Sequence, residues 1–574
     1  MKNRELAEIF DRMADVIELQ GGNPFRVRSY RKASRIIGDL TDDIADIARE
    51  GRLGELPGIG ESFVQKIQEY LDTGRLAAHD ELVAQVPPGV LEMMHVPGLG
   101  PKTAGLVYKK AGIESIDQLA EAIEAGKLAD LPGLGAKKLQ NILKGIQVYR
   151  SGQGRVLLGV ALPIAEEIIE HLKKVKGVRD ILPAGSLRRC RETIGDVDIL
   201  VSSTKGKDIV EAFTRLPMVR DVLAAGETKG SVRVEGGLQV DLRVVPPKSF
   251  GAAAQYFTGS KAHNIRLRDI AIDKKLKLNE YGVFRGDRQI AGKSEEEVYG
   301  ALDLPWIPPE LREDRGEVEA AQEGRLPELI EPADIRGDLH MHSTHSDGNA
   351  SIEAMALAAR EVGYEYICIT DHSQSLKVAH GLDPKRLEKQ RKEIDALNKK
   401  LDGIRILAGI ELDILADGSL DLPDEALAAC DFVIASIHSG MQQDEKRLTA
   451  RLVKAMRNPH VHAIAHPTGR VLGGQRDAYP LDFDEIVRVA KQTGTALEIN
   501  AYYDRLDLDD LHARRARDAG VKLVINTDAH ATTHLAMMRF GVATARRGWV
   551  RKADVLNTLP LEKLLSWLAE KRND

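Results

Sequence analysis

The chain has 574 residues, 43% hydrophobic and 29% charged, with 81 Lys+Arg against 87 Asp+Glu for a net charge of −6. This length suits about four ordinary domains with apolar material for several cores. Runs such as VLLGVALPIA are far too short to span a bilayer, the charged amphipathic start MKNRELAEIFDRMADVIELQ is no signal peptide, and three isolated cysteines (Cys190, Cys368, Cys430) argue against a disulfide scaffold. A cytoplasmic protein with no membrane partner is expected.

Residues 1–150 carry 20 Lys+Arg against 22 Asp+Glu, so bulk charge does not draw this part to nucleic acid. It contains three near-copies of one segment: LPGIGESFVQKI (56–67), VPGLGPKTAGLV (96–107) and LPGLGAKKLQNI (131–142). Gly58 and Gly60, Gly98 and Gly100, and Gly133 and Gly135 permit a tight turn just before a helix. The amides that open such a helix bind phosphate oxygens without net positive charge. The segment resembles the helix-hairpin-helix motif of DNA repair and replication proteins. An αα-hairpin turn is the plainer reading of one copy; three copies favour binding to the DNA backbone.

After YRSGQGR (149–155), read as a linker, the pattern turns to mixed α/β. RDILPAGSLRRCRETIGDVDILVSS (179–203) reads as strand, turn, short basic loop and strand, and GGLQVDLRVVPP (236–247) as a further strand. The Pro- and Glu-rich passage 304–336 reads as a polar connector. From 337 onward strands and helices alternate. Seven apolar strand candidates (DLHMHS, YEYICITDHS, IRILAGIELDIL, DFVIASIHS, HVHAIAHP, TALEINAYY, VKLVINTDAH) predict a parallel sheet closed into a TIM-like barrel.

In GSLRRCRETIGDVDIL, Asp196 and Asp198 lie two apart on a strand, so both carboxylates face one way and can share divalent cations. Asp241 can add a third carboxylate from a neighbouring strand. Gly185, Ser186, Arg188 and Arg189 offer amides, a hydroxyl and guanidinium groups to a triphosphate. Three carboxylates beside a phosphate cradle are the layout of two-metal nucleotidyl transfer.

Residues 1 to about 315 resemble the family X DNA polymerases, with further matches at NPFRVRSYRKAS (23–34), GETKG (226–230), YFTGSKAHNIRLR (256–268) and LNEYGVF (278–284). The resemblance implies that Asp196, Asp198 and Asp241 hold two Mg²⁺ ions, and that Ser186, Arg189 and Gly195 contact the incoming triphosphate. It places Tyr256 and Phe257 near the sugar, Asn264 near the base and Arg268 in the template minor groove. In several relatives the amino-terminal segment is also a deoxyribose-phosphate lyase, whose Schiff-base lysine matches Lys66. Other lysines of that pocket are replaced here by Arg26 and Ser62, and Gln239 stands where some relatives carry an arginine.

Beyond 337, ligand-type side chains recur at the carboxyl ends of the seven strands, where barrel enzymes build their sites. They are His340, His342, Asp347, His372, Glu411, His438, His466, Asp528 and His530. Nine such residues suit about three ions, with Glu411 as a bridge. His345 is a rival to Asp347 for the third place; Asp347 is preferred. The remaining histidines and Cys368 read as structural. This set resembles the PHP (polymerase and histidinol phosphatase) domain, a distorted seven-unit barrel whose multinuclear Mn²⁺ or Zn²⁺ site hydrolyses phosphoesters.

The expected architecture is multidomain: helix-hairpin-helix domains, an α/β nucleotidyltransferase palm with thumb, and a (βα)7 PHP barrel. The expected boundaries are 1–82 (lyase-like), 83–150 (fingers-like), 151–250 (palm), 251–310 (thumb), 311–335 (linker) and 336–574 (PHP). The two resemblances imply a monomeric, nucleoid-associated prokaryotic repair polymerase that fills short gaps. Its partners would be gapped or nicked duplex DNA and dNTPs. The tail would be a 3′-5′ exonuclease, with abasic-site incision or 3′-phosphatase action as further options. The alternatives are a DNA-binding phosphoesterase with an inactive palm, and a tail acting on small-molecule phosphates.

Overall fold

The computed structural model describes residues 2–38, 40, 43–56, 58–94, 96, 99–128, 131, 133–135, 138–140, 142–143, 146, 155–234, 237–472 and 476–573. It forms two compact units, Met1–Val156 with Met218–Val222 and Val232–Gln239, and Leu157–Pro217 with Leu223–Ser231 and Val240–Asp574. Among the described residues no helix is long and apolar enough to cross a membrane. The linker expected at 149–155 lies, apart from Arg155, outside the described residues.

The first unit's amino-terminal part is helical, and the three repeats build one turn three times. Leu56, Val96 and Leu131 accept from the amides of Ile59, Leu99 and Leu134 at 3.0–3.1 Å. Gly60 O then takes the amides of Phe63 and Val64, Gly100 O those of Thr103 and Ala104, and Gly135 O those of Lys138 and Leu139. The apolar residue between each pair of glycines (Ile59, Leu99, Leu134) is buried in the helical core and anchors its turn. Positive φ at Gly58 (94°) and Gly133 (78°) is the reason a side chain is excluded there. Gly98 falls outside the described residues.

In the second unit, strands β1 (Asp180–Pro183), β2 (Asp196–Ser202) and β3 (Gln239–Val245) are neighbours in that order within a five-stranded sheet. β1 and β2 are antiparallel, with Leu182 opposite Leu200. The short basic loop expected between them is partly a single helical turn, Gly185–Arg188. Helices Phe250–Thr258 and Lys261–Asp273 follow, then a three-stranded antiparallel sheet.

The connector expected over 311–335 is not an extended tether. Arg312 and Glu317 are fully buried, and helix Glu317–Gln322 sends Val318, Ala320 and Ala321 into the core that also holds Leu267, Val283 and Trp549. Its many charges hid this, because the central ones, Arg312, Glu313, Arg315 and Glu317, are paired within the protein and turned away from solvent.

All seven barrel strands form, in sequential parallel order: β4 (Gly337–Met341), β5 (Tyr366–Ile369), β6 (Arg405–Asp413), β7 (Phe432–Ser436), β8 (Ala463–Ile464), β9 (Ala496–Asn500) and β10 (Leu523–Asn526). A bridge from Met341 to Ala529, with His342 N donating to Ala529 O at 2.8 Å, nearly closes the ring. Alternation divides the apolar side chains between two faces. Leu339, Cys368, Leu407, Phe432, Ala463, Ala496 and Val524 share one cluster, while Ile367, Ile406, Val433, Ile464, Leu497 and Ile525 pack with the surrounding helices in another.

Two candidate metal centres

β2 starts at Asp196, so Asp196 and Asp198 flank a fully buried Val197 on one face of the strand, and Asp241 sits on the adjacent β3. Asp198 and Asp241 line one small cavity of about 60 Å³ with Lys229, Arg243 and Phe257. Burial, then the charges of Asp196 and Asp241, push the Asp198 carboxyl up to about 7. Crowded carboxylates resist losing their last proton, and a divalent cation removes that penalty. The all-oxygen set fits Mg²⁺.

The glycine at 185 is required by this packing. Its φ is 60°, and a Cβ there would lie 2.4 Å from Asp198 Oδ2. Ser186 follows in the same turn, and Gly195 lies exposed just before Asp196. Arg188 departs from expectation. It donates to both carboxylate oxygens of Glu295 at 2.9 and 2.7 Å and to Thr258 Oγ1 at 2.7 Å, while the fully buried Arg312 donates to the same Glu295 at 2.6 Å. Against burial, Arg312 and Arg188 hold Glu295 down at about 2, so Arg188 is one arm of a buried ion-pair network. Arg189 instead donates from Nε to Glu313 at 3.1 Å and from Nη1 to the Thr258 carbonyl.

Tyr256 and Phe257 pack edge to face at 5.2 Å, and the Arg243 guanidinium lies 4.5 Å above the Phe257 ring. Asn264 is buried, donating to Tyr256 O at 2.7 Å and accepting from Gln255 at 2.6 Å, while Arg268 Nε donates to Asn264 O at 3.2 Å. In the helical unit Lys66 Nζ is turned back onto its own helix, donating to Ser62 Oγ at 2.7 Å and Ser62 O at 3.1 Å. That unit also contains a cavity of about 530 Å³ lined by Arg28, Lys102, Lys109 and Lys110. An overall charge count cannot reveal this concentration of cations from distant segments.

At the carboxyl ends of the barrel strands, five of the other eight expected ligands surround Glu411, and Asp347, Asp528 and His530 lie against those histidines. His466 Nε2 and His438 Nε2 lie 3.0 and 3.2 Å from Glu411 Oε1, and His372 Nδ1, His340 Nε2 and His342 Nε2 lie 2.7, 3.5 and 3.6 Å from Oε2. Asp528 Oδ1 is 3.1 Å from His342 Nε2 and 3.6 Å from His340 Nε2. Asp347 lies 3.6 Å from both His372 Nε2 and His530 Nε2. His345 instead meets Glu393 at 2.9 Å.

Several of these buried atoms have no hydrogen-bond partner: His340 Nε2, His342 Nδ1, His372 Nδ1, His466 Nδ1 and Glu411 Oε2. His372 Nδ1 and Glu411 Oε2 are close yet lack hydrogen-bond geometry. Orphaned donors and acceptors concentrated at one point need an explanation, and a cation supplies it. Ligand-type atoms here fall into three overlapping groups: His342, Asp347, His372 and His530; His340, His342 and Glu411; His372, Glu411 and His438. The mixed imidazole and carboxylate chemistry fits Mn²⁺ or Zn²⁺.

Electrostatics agree. Burial opposes the charge on His340, but Glu498, Asp528 and Glu411 hold it well above the usual imidazole range. Burial together with His372 and His530 drives His342 down to about 3. Against burial, Glu411 and Asp413 raise His438 to about 10, and Asp347 and Asp528 raise His530 to about 9. Glu411 and Asp528 stay far below the ordinary carboxylate range despite burial, because histidines surround them.

Sequence reasoning missed the residues that orient these ligands. Glu498 Oε1 accepts from His340 Nδ1 at 2.8 Å, which leaves His340 Nε2 for the cluster, and Glu498 Oε2 accepts the His466 amide at 2.8 Å. Asp413 accepts from His438 Nδ1 at 2.8 Å in the same manner. Such partners set the tautomer of a ligating imidazole. The available signal was a carboxylate inside each of two apolar strands, ALEIN and GIELD.

Known proteins match this organisation. Residues 1–76 match the helix-hairpin-helix domain model, 90–147 the SAM-like helix-hairpin-helix tandem, 253–313 the DNA polymerase beta thumb and 338–502 the PHP domain. The chain is 42% identical over 581 aligned positions to the Bacillus subtilis DNA polymerase/3′-5′ exonuclease PolX, covering 100% of both chains. It is 30% identical over 247 residues to a probable phosphatase of Thermoanaerobacter sp. (41% of this chain, 95% of the relative). It is also 32% identical over 203 residues to one from Acetivibrio thermocellus (34% and 78%).

Proposed function

Because the chain belongs to the family X DNA polymerases that carry a carboxy-terminal PHP domain, we propose a division of labour between its two centres. The protein is a DNA polymerase with a 3′-5′ exonuclease. In the palm, Asp196, Asp198 and Asp241 would hold two Mg²⁺ ions, which supply charge neutralisation at the attacking and leaving oxygens. Ser186, Gly195 and Arg189 bind the triphosphate, Tyr256 and Phe257 wall the sugar, Asn264 faces the base and Arg268 the template. Lys66, whose exposed Nζ donates to Ser62 of its own helix, would be the Schiff-base lysine of a lyase reaction.

In the barrel, all nine expected ligands would hold about three Mn²⁺ or Zn²⁺ ions, with Glu411 bridging. Glu498 and Asp413 fix the tautomers of His340 and His438. The observation that carries this reading is the set of orphaned buried atoms around Glu411, next to a carboxylate triad in the same chain. The helix-hairpin-helix turns would bind the backbone of gapped or nicked DNA.

The test uses a gapped, 5′-phosphorylated duplex with Mg²⁺ or Mn²⁺, with and without dNTPs. Asp198→Ala abolishes primer extension and spares degradation; His342→Ala does the reverse. One substitution removing both activities would sink the division. The probable phosphatases match 41% and 34% of this chain and support a second reading, which we propose as action on small phosphate esters. Turnover of such an ester far above that of a primer end would establish it.

A further inference from the structure

We propose that Arg547, a residue of the PHP barrel, is a positioning residue for the polymerase reaction, holding Arg189 of the palm in place for the triphosphate. The proposal rests on the reading of Arg189 as a triphosphate contact given above.

Arg547 ends helix Met538–Arg547, whose Val542 and Ala545 are packed into the barrel's outer core. Its guanidinium is almost fully buried and bonds in two directions, one within the barrel and one to the palm. Nη2 donates to Asp510 Oδ2 at 2.6 Å, and Asp510 also takes Arg315 Nη1 at 3.0 Å. Nη1 donates to the backbone carbonyl of Arg189 at 2.7 Å and to Glu313 Oε1 at 3.0 Å. The same Glu313 oxygen accepts Arg189 Nε at 3.1 Å, and Arg191 Nη1 lies 3.7 Å from it.

One guanidinium thus fixes Arg189 twice, its backbone directly and its side chain through Glu313. The far side of the Arg189 fork is closed by the Thr258 carbonyl and by Gly259, where a Cβ would lie 3.1 Å from Nη1. An arginine left unanchored would have to lose its rotamer freedom when it meets a phosphate; this one has already lost it. Arg547 also limits the grip of Glu313. Three arginines share that carboxylate, and removing Arg547 leaves it to pair more tightly with Arg189, in competition with the triphosphate. Both effects of losing Arg547 weaken nucleotide binding and leave the three carboxylates themselves in place.

The experiment compares Arg547→Met, Arg547→Lys, Arg189→Ala and the Arg189→Ala/Arg547→Met double variant in the full chain. It reads KM and kcat for dNTP, with 3′-5′ degradation of the same preparation as the control for an intact barrel. Arg547→Met raises KM for dNTP about tenfold, changes kcat little and leaves degradation within about twofold. Arg547→Lys recovers part of the loss, and the double variant is no worse than Arg189→Ala alone, because the two act as one unit. If Arg189→Ala raises KM but Arg547→Met does not, the proposal is overturned. If Arg189→Ala leaves KM unchanged, the reading of Arg189 fails instead. If Arg547→Met loses both activities, Arg547→Lys must still show the KM split, and its absence overturns the proposal.

Discussion

Glu498 lies fully buried at the centre of β9 and is asked to satisfy four donors. Oε1 accepts from His340 Nδ1 at 2.8 Å and Asn526 Nδ2 at 2.9 Å; Oε2 accepts from the His466 amide at 2.8 Å and Asn500 Nδ2 at 3.3 Å. Glu498→Gln keeps the shape and replaces one oxygen with an NH₂ that cannot accept. If that NH₂ faces His340, the ring must turn Nδ1 into an acceptor and protonate Nε2, the atom meant for a cation. If it faces His466, a buried amide donor is stranded. One unsatisfied buried donor costs about 1–3 kcal/mol. At about 1.4 kcal/mol per decade that is roughly five- to 150-fold, in line with the 10–100-fold typical of partners that orient metal-bound histidines. The assay is 3′-5′ degradation against Mn²⁺ concentration, beside primer extension by the same preparation. The half-saturating Mn²⁺ concentration rises by about 10–100-fold while extension is unchanged. An unmoved Mn²⁺ midpoint would refute the assignment of Glu498 as the residue that sets the His340 tautomer.

Three other outcomes follow from the same structure. Glu295→Ala strands Arg188 and the fully buried Arg312, so stability in denaturant titration falls by about 3–5 kcal/mol; a loss below 1 kcal/mol would contradict the buried network. Gly185→Ala must place a methyl 2.4 Å from Asp198 Oδ2 at a φ of 60°, so kcat/KM for nucleotide addition drops about a hundredfold while degradation persists, since ångström-scale misplacement of reacting groups costs about that much; near-normal extension would show the loop to be compliant. His438 and His530 are raised to about 10 and about 9, so both are protonated at neutral pH before a cation arrives. Metal must displace those protons, so apparent affinity grows with pH toward 9 and weakens about tenfold per unit of falling pH for each proton displaced. Mn²⁺ titrations at pH 7 and pH 8 check the sign, and a pH-independent affinity would exclude protonated ligands.

Some of this was legible in the chain alone. Buried parallel strands read as short apolar runs, so all seven barrel strands were visible, as were the nine polar residues at their ends. The three PG-x-G segments announced the hairpins because positive φ and a helix start are local demands, met by neighbouring residues. The D-x-D pair was legible because strand alternation alone puts both carboxylates on one face.

Other features depended on partners far away in sequence. His345 is as good a ligand type as Asp347, yet it pairs with Glu393, 48 residues on, and only Asp347 reaches the cluster. Arg188 and Arg189 are adjacent and chemically alike; a buried Glu295, 107 residues away, takes the first, and Glu313 with Arg547 positions the second. The connector's central charges became core because Glu295, Arg189, Arg547, Asp510 and His263, all outside it, pair with Arg312, Glu313, Arg315 and Glu317 after folding. Residue type and spacing determined which chemistry this protein can perform, since those are properties of short segments. Where each of two equivalent side chains lies was decided by tertiary structure, because a buried charge goes where its counter-charge is, and that place is set by the fold.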